Sequence, residues 1–336
     1  MPRLHTAMMW VGWLLACLLA AGLPHAHAQA VAPAASHERL PVPAIAPVAR
    51  LAPVPLLWKA GNGERSVYLL GAFHLLRPDD YPLSADVDAA FADAESLLLE
   101  MSPAEMESPT LALRMSQAGL RRDGTLLDRQ LPPATAARLR DWLAANAARL
   151  QAAGLSPQLM QLFEPWFVGL TVSVTGMIDE GLDPALGLDR HFANAAIDDG
   201  KPIDGFETGD EQIAFFDGMA AEEQLQLLDE ALTESQPGDS EIDALHSAWR
   251  NGDADTLWGR MARDMRHDYP KLYQRVNVQR NDAWLPVIES RLHGDGDEDT
   301  LVVVGALHLL GSDGLVEKLR ARGYRVERIC SACAAR

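Results

Sequence analysis

The chain has 336 residues, and its 47 Asp and Glu against 29 Lys and Arg leave a formal net charge of -18. No basic cluster follows the amino-terminal segment, which argues against nucleic acid as a partner. Behind that segment roughly three hundred residues remain, enough for one large α/β domain with a helical insertion.

Met1 to Ala7 carries Arg3, Met8 to Gly22 is almost wholly apolar, and Ala26-His27-Ala28 supplies small residues at cleavage spacing. Residues 1–28 therefore read as a secretory signal peptide cut after Ala28, which predicts a periplasmic or secreted protein. The apolar run is short for a membrane span. Leu14-Leu15-Ala16-Cys17 resembles a lipoprotein box, but the residues after Cys17 stay apolar instead of forming a polar tether, so ordinary cleavage is preferred. Residues 29–55 are rich in Ala, Pro and Val without periodicity and read as a disordered tether. The domain proper is expected over 56–330, with a helical insertion over about 103–293 and a tail at 331–336.

Leu56 to Ala60 and Ser66 to Leu70 flank Gly61-Asn62-Gly63 and predict a β-hairpin. Its second strand runs into Gly71-Ala72-Phe73-His74-Leu75-Leu76. After a proline-rich loop, Ser84 caps a helix with Val87, Ala90, Phe91 and Ala94 on one face, and Ser96 to Met101 follows as a strand carrying Glu100 near its end. Strand, helix and strand make a βαβ unit, so Glu100 and His74 are expected on one sheet edge. The insertion is mostly helical. Within it, Leu162 to Ile178 is interrupted by Glu164 and Pro165 and is too short to cross a membrane. It reads either as a core helix or as a groove wall built on Trp166 and Phe167.

Gly187-Leu188-Asp189-Arg190-His191 opens another helix; the Asp189-Arg190-His191 run reads either as an approach to the cleft or, preferred, as a helix cap with surface charges. Pro202 to Glu207 gives a strand ending in a second carboxylate. A long helix is expected from Lys271 towards Leu292, carrying Arg280 and Asn281. Gly294 to Asp299 is an acidic turn with only a superficial likeness to a calcium loop. Leu301 to Val304 then leads into Gly305-Ala306-Leu307-His308-Leu309-Leu310, a second copy of the histidine motif. Leu315 to Arg322 and Tyr324 to Ile329 complete a second βαβ unit. Cys330 and Cys333 are spaced to close a small disulfide loop. The fold class is thus α/β: a central mixed, largely parallel sheet built from two similar βαβ units carrying Gly-x-x-His motifs, with a large helical insertion.

Two imidazoles and a carboxylate on one sheet edge form a ligand set for a divalent ion with an open position, drawn from His74, His308 and Glu100 or Glu207. The same groups also support a metal-free reaction in which Glu100 acts as general base on water and a histidine acts as acid. Spacing does not choose between them. Arg280, on an otherwise apolar helix face, is expected to meet a substrate carboxylate or oxyanion.

The succession Val67 to His74, Tyr81-Pro82-Leu83, the strand ending at Glu100, Gly205-Phe206-Glu207-Thr208, Arg280-Asn281 and Val303 to Gly311 resembles the TraB/GumN family. The likeness covers about Leu57 to Val326. It implies a fold related to the erythromycin esterase and Tiki group, and peptidase chemistry dependent on Mn or Co, with Zn as a further possibility. Matched by position, His74, His308, Glu100 and Arg280 are the site. The expectation is an exported metal-dependent hydrolase acting on a peptide or other small secreted substrate, with no transmembrane helix in the mature chain. The alternatives are a metal-free esterase-like hydrolase, or a periplasmic protein that binds peptide without cleaving it.

Overall fold

The computed structural model describes residues 51–61, 65–236, 241–293 and 298–335. The expected signal peptide, most of the tether, the hairpin turn and the start of the acidic turn lie outside them. Six strands form one sheet: β1 (Leu57–Gly61), β2 (Ser66–Ala72), β3 (Ser96–Met101), β4 (Ile203–Glu207), β5 (Thr300–Gly305) and β6 (Arg325–Arg328), in the order β4-β3-β5-β2-β1-β6. β2, β5, β3 and β4 run parallel, while β1 is antiparallel to both β2 and β6. This is the mixed, largely parallel α/β sheet that the two βαβ patterns predict.

One feature of the order is not local in sequence. β5 sits between β2 and β3 and pairs with both, so the strands of the first βαβ unit are not neighbours. Every residue of β5 is buried, as the continuous apolar run Leu301 to Val304 requires of a strand covered on both faces. The register aligns Ala72 with Gly305 and Met101 with Glu207, which brings the ends of all four parallel strands to one edge. The motif copies touch there. A Cβ on Gly71 would lie 3.1 Å from Ala306 Cβ, so glycine relieves a tight contact where the first copy meets the second.

The insertion packs as helices against each other and the sheet. Helix Pro165–Asp179 lies against helix Ala221–Glu234 and is buried almost all round. Trp166 and Phe167 are core residues at 0% and 1% exposure, which decides for the core helix over the groove wall. Among the described residues no helix is long and apolar enough to cross a membrane. Residues 53–55, expected as the end of the tether, are also packed. Pro53, Val54 and Pro55 are buried, Val54 N donates to Arg250 O at 2.8 Å, and Ser84 N donates to Pro53 O at 3.1 Å. Apolar side chains this close to β1 gain more from burial than from extension into water. Cys330 and Cys333 are joined in a disulfide.

The long helix expected over Lys271 to Leu292 is continuous but not uniform. Its first turn, Pro270–Tyr273, passes into a π turn over Gln274–Val278 before the α-helix Gln279–Leu292. Such turns insert a residue and re-aim the side chains beyond them. Here Arg280 and Asn281, which follow directly, are both turned into the interior.

Candidate active site

At the shared strand edge, five expected residues converge: His74, Glu100, Glu207, Arg280 and His308. Arg280 is at the centre. Its Nε donates to Glu207 Oε1 at 2.8 Å, and Nη2 donates to Glu207 Oε2 at 2.8 Å and to Glu100 Oε2 at 2.7 Å. Nη1 donates to His308 Nε2 at 3.1 Å and reaches Val276 O at 3.5 Å. A guanidinium has five N–H groups, and all five have acceptors within the protein. The direct grip on a substrate carboxylate expected of Arg280 is therefore replaced by a grip on the site's own carboxylates. Burial works against its charge, but Glu100 and Glu207 outweigh that and raise its pKa further.

The two histidines come from copies of one motif and end in opposite states. His74 Nδ1 lies 2.7 Å from Asp189 Oδ2, at the start of helix Leu188–Asp199. The carboxylate accepts, so Nδ1 carries the proton and Nε2 faces Glu100 Oε1 at 3.9 Å. Burial pushes the His74 pKa down, but Asp189 and then Glu100 more than offset it, and the ring titrates above its ordinary value. Contact between the helix start and the motif is close. A Cβ on Gly187 would fall 2.0 Å from His74 O, and Leu188 N donates to Phe73 O at 3.2 Å.

His308 Nδ1 lies 2.7 Å from Asn281 Oδ1. The Asn281 amide is oriented by its nitrogen, which donates to His308 O at 3.2 Å and Asp313 O at 2.8 Å. Its oxygen must therefore accept from His308 Nδ1–H. That leaves the Nε2 lone pair to receive Arg280, and the ring neutral. Burial, and then the Arg280 charge, hold the His308 pKa down to about 3. Glu100 would be raised by burial, but Arg280, the imidazoles and the Gly305 N–H at 2.8 Å hold it at about 2.

The donor types suit a divalent ion, and both Nε2 atoms lie 3.9 Å from Glu100 Oε1. The arrangement does not fit one while Arg280 is in place. Glu207, expected as a ligand, gives both oxygens to Arg280 and also accepts from Trp284 Nε1 at 2.9 Å and Gln212 Nε2 at 3.1 Å. His308 spends on Arg280 the lone pair a metal would need. Among the described residues no group of three or more His, Cys, Asp or Glu side chains is set to hold a metal ion.

Three partners went unassigned to the site in sequence. For Asp189 an approach to the cleft is weighed but a helix cap preferred, Asn281 is read only as a neighbour of Arg280, and Trp284 only as part of an apolar face, although its ring lies 4.4 Å from that of His308. Gly187 immediately before the Asp189 helix is the one local signal of its close approach to the histidine loop. A second imidazole–carboxylate pair lies elsewhere: His246 Nε2 is 2.7 Å from the fully buried Asp80, which also accepts from Arg77 N at 2.7 Å and from Arg250. That carboxylate is closed by direct bonds and ties the loop after His74 to helix Glu241–Arg250.

A largely parallel sheet with buried imidazole, carboxylate and guanidinium groups gathered at its carboxyl edge defines an α/β protein with a preorganised polar site. The chain belongs to the TraB/PrgY/gumN family, whose model matches residues 56–328. Its relatives include "Uncharacterized protein YbaP" of Escherichia coli (strain K12), 26% identical over 263 residues that make up 77% of this chain and 89% of the relative. YbaP of Shigella flexneri is similar to the same extent, 26% over 263 residues. No solved structure matches the chain significantly.

Proposed function

We propose that this protein is an exported hydrolase that cleaves an amide or ester bond by attack of water, with Arg280 rather than a metal ion holding the site's carboxylates. The supporting observation is the convergence of His74 Nε2 and His308 Nε2 on Glu100 Oε1, each at 3.9 Å. Polar groups at that separation can share one water molecule. Glu100, held at about 2, is a weak base, and His308 has committed its lone pair to Arg280. His74 has raised basicity and a fixed Nδ1–H, so it is the stronger base.

In this scheme His74 Nε2 takes a proton from water as the water oxygen bonds to the substrate carbonyl carbon. The same proton then passes to the departing amine or alkoxide as the carbonyl re-forms and the old bond breaks. Glu100 stays ionised and orients the water. The leader-like segment 1–28 and the Cys330–Cys333 disulfide support export to an oxidising compartment. On a panel of ester and peptide substrates, wild-type turnover survives excess chelator and His74→Gln lowers it by on the order of 10³-fold or more. Full turnover by His74→Gln overturns the scheme.

The same convergence favours a second reading, in which Mn, Co or Zn sits among His74, His308 and Glu100 after Arg280 has released His308. Stoichiometric binding of one of these ions by the wild type, lost in a His74→Ala/His308→Ala double variant, decides for it.

A further inference from the structure

Arg280 and Trp284 are shared between the buried cluster and a cleft of about 450 Å³ that opens on the other side of them. That volume is in the range of small-molecule sites. Its walls are aromatic. Phe206 stacks on the buried Trp284 with ring centroids 4.8 Å apart, and the Arg280 guanidinium lies over the rings of Phe215 and Trp284, at 5.4 Å and 4.7 Å. A half-buried cation, Arg275, stands on the rim.

Charge separates the two arginines. Arg280 faces two carboxylates and has no donor left for a ligand. Among the described residues no carboxylate pairs with Arg275, whose Nη1 donates to Phe215 O at 3.4 Å. A Cβ on Gly218 would come within 3.0 Å of the same Nη1, so the bare backbone there leaves the guanidinium its place. Of the cleft's acids, Glu207 is taken by Arg280, and Glu211 accepts from Thr208 N and Oγ1 as a helix cap at 2.8 and 2.9 Å. Capping the carboxyl end of helix Gly209–Asp217 accounts for one donor of Arg275 and leaves the rest of its fork unexplained.

We infer that this cleft binds the carboxyl-terminal residue of a peptide-like substrate, with an aromatic or large apolar side chain against the half-buried Phe206 and Phe215 and the terminal carboxylate on Arg275. The inference rests on the hydrolase reading only for what happens to the bound molecule. It makes Arg275 a specificity residue that touches the substrate away from the reacting bond.

The test is calorimetric titration of the full mature chain with N-acetyl-L-phenylalanine, its carboxamide and N-acetylglycine. The carboxylate should bind roughly tenfold or more tighter than the carboxamide, from a charge-assisted hydrogen-bonded pair. N-acetylglycine should be weaker by a similar factor for want of the ring. Arg275→Gln should erase the preference for carboxylate, and Arg275→Lys should restore part of it. Equal binding of acid and carboxamide by the wild type, no binding of any probe, or an undiminished preference in Arg275→Gln each overturns the proposal. Binding is read without turnover, so a carboxylate preference in a protein that cleaves nothing upholds this cleft while ending the hydrolase reading. Cleavage with no role for Arg275 does the reverse.

Discussion

His74 and His308 begin from the same motif at the ends of adjacent parallel strands, and they diverge through a single atom's environment. His74 Nδ1 meets the carboxylate of Asp189 and His308 Nδ1 meets the amide oxygen of Asn281. Both partners fix the tautomer. Only the carboxylate adds charge, so one ring is made more basic and the other, facing Arg280, is kept neutral. A duplicated motif thus supplies two histidines at one sheet edge, and the elements that pack on them assign their protonation states.

The strongest way to break this contrast is Asp189→Asn. An amide keeps the shape but withdraws the charge, so His74 should titrate below its present value and turnover should fall by on the order of 10³–10⁴-fold. Substrate assays with NMR titration of the imidazole check both, and unchanged turnover counts against His74 as the base. Next is Arg280→Ala, which leaves two carboxylates buried without their counter-charge. A loss of about 3–5 kcal/mol in urea unfolding is expected, whereas a loss under 1 kcal/mol would mean that the two carboxylates find other partners.

Asn281→Asp tests whether the difference can be exchanged. A carboxylate at Nδ1 should lift the His308 titration by roughly 1–3 pH units, at some cost in stability because His308 O and Asp313 O lose their donor. If the His308 titration stays put, the Nδ1 partner is not what sets it.

The contrast also shows in pH-dependent stability. His308 is depressed in the fold, so between about 3 and its ordinary 6.5 the unfolded chain binds a proton that the folded chain refuses. Stability therefore falls as pH is lowered through that window, by up to about 1.4 kcal/mol per pH unit. Glu100 acts in the same direction: its contribution is full above 4.5 and is lost as pH falls towards about 2. His74 has the opposite sign, because its raised value gives a contribution that is full below 6.5 and lost as pH rises through the folded value. Urea midpoints from pH 4 to 7 should lose part of their slope in His308→Asn, and an unaltered slope would count against a neutral buried His308.

The strand ends were legible in sequence because length, β-branched content and the following glycine are local signals. They brought His74, Glu100, Glu207 and His308 to one edge without any knowledge of packing. The central place of β5 was not legible, since strand order depends on which surfaces meet and not on periodicity. For the same reason Asp189 passed as a helix cap: its partner lies 115 positions away. The apolar stretch at Trp166 was ambiguous between core and groove. Only the second helix packed on it, Ala221–Glu234, resolves it as core. Arg280 was found by its odd position on an apolar face, but its orientation depends on the π turn before it, which no residue pattern announced.

That turn also gives the helix a phase. Gln274–Val278 holds an extra residue within otherwise α-helical chain. Were the same residues wound as plain α-helix, everything beyond the turn would be rotated by about 100°. Arg280 and Asn281 would then leave Glu100, Glu207 and His308 together. The winding of one turn thus keeps the site assembled, and a change in that winding would disarm it while every residue named in it stayed in the sequence.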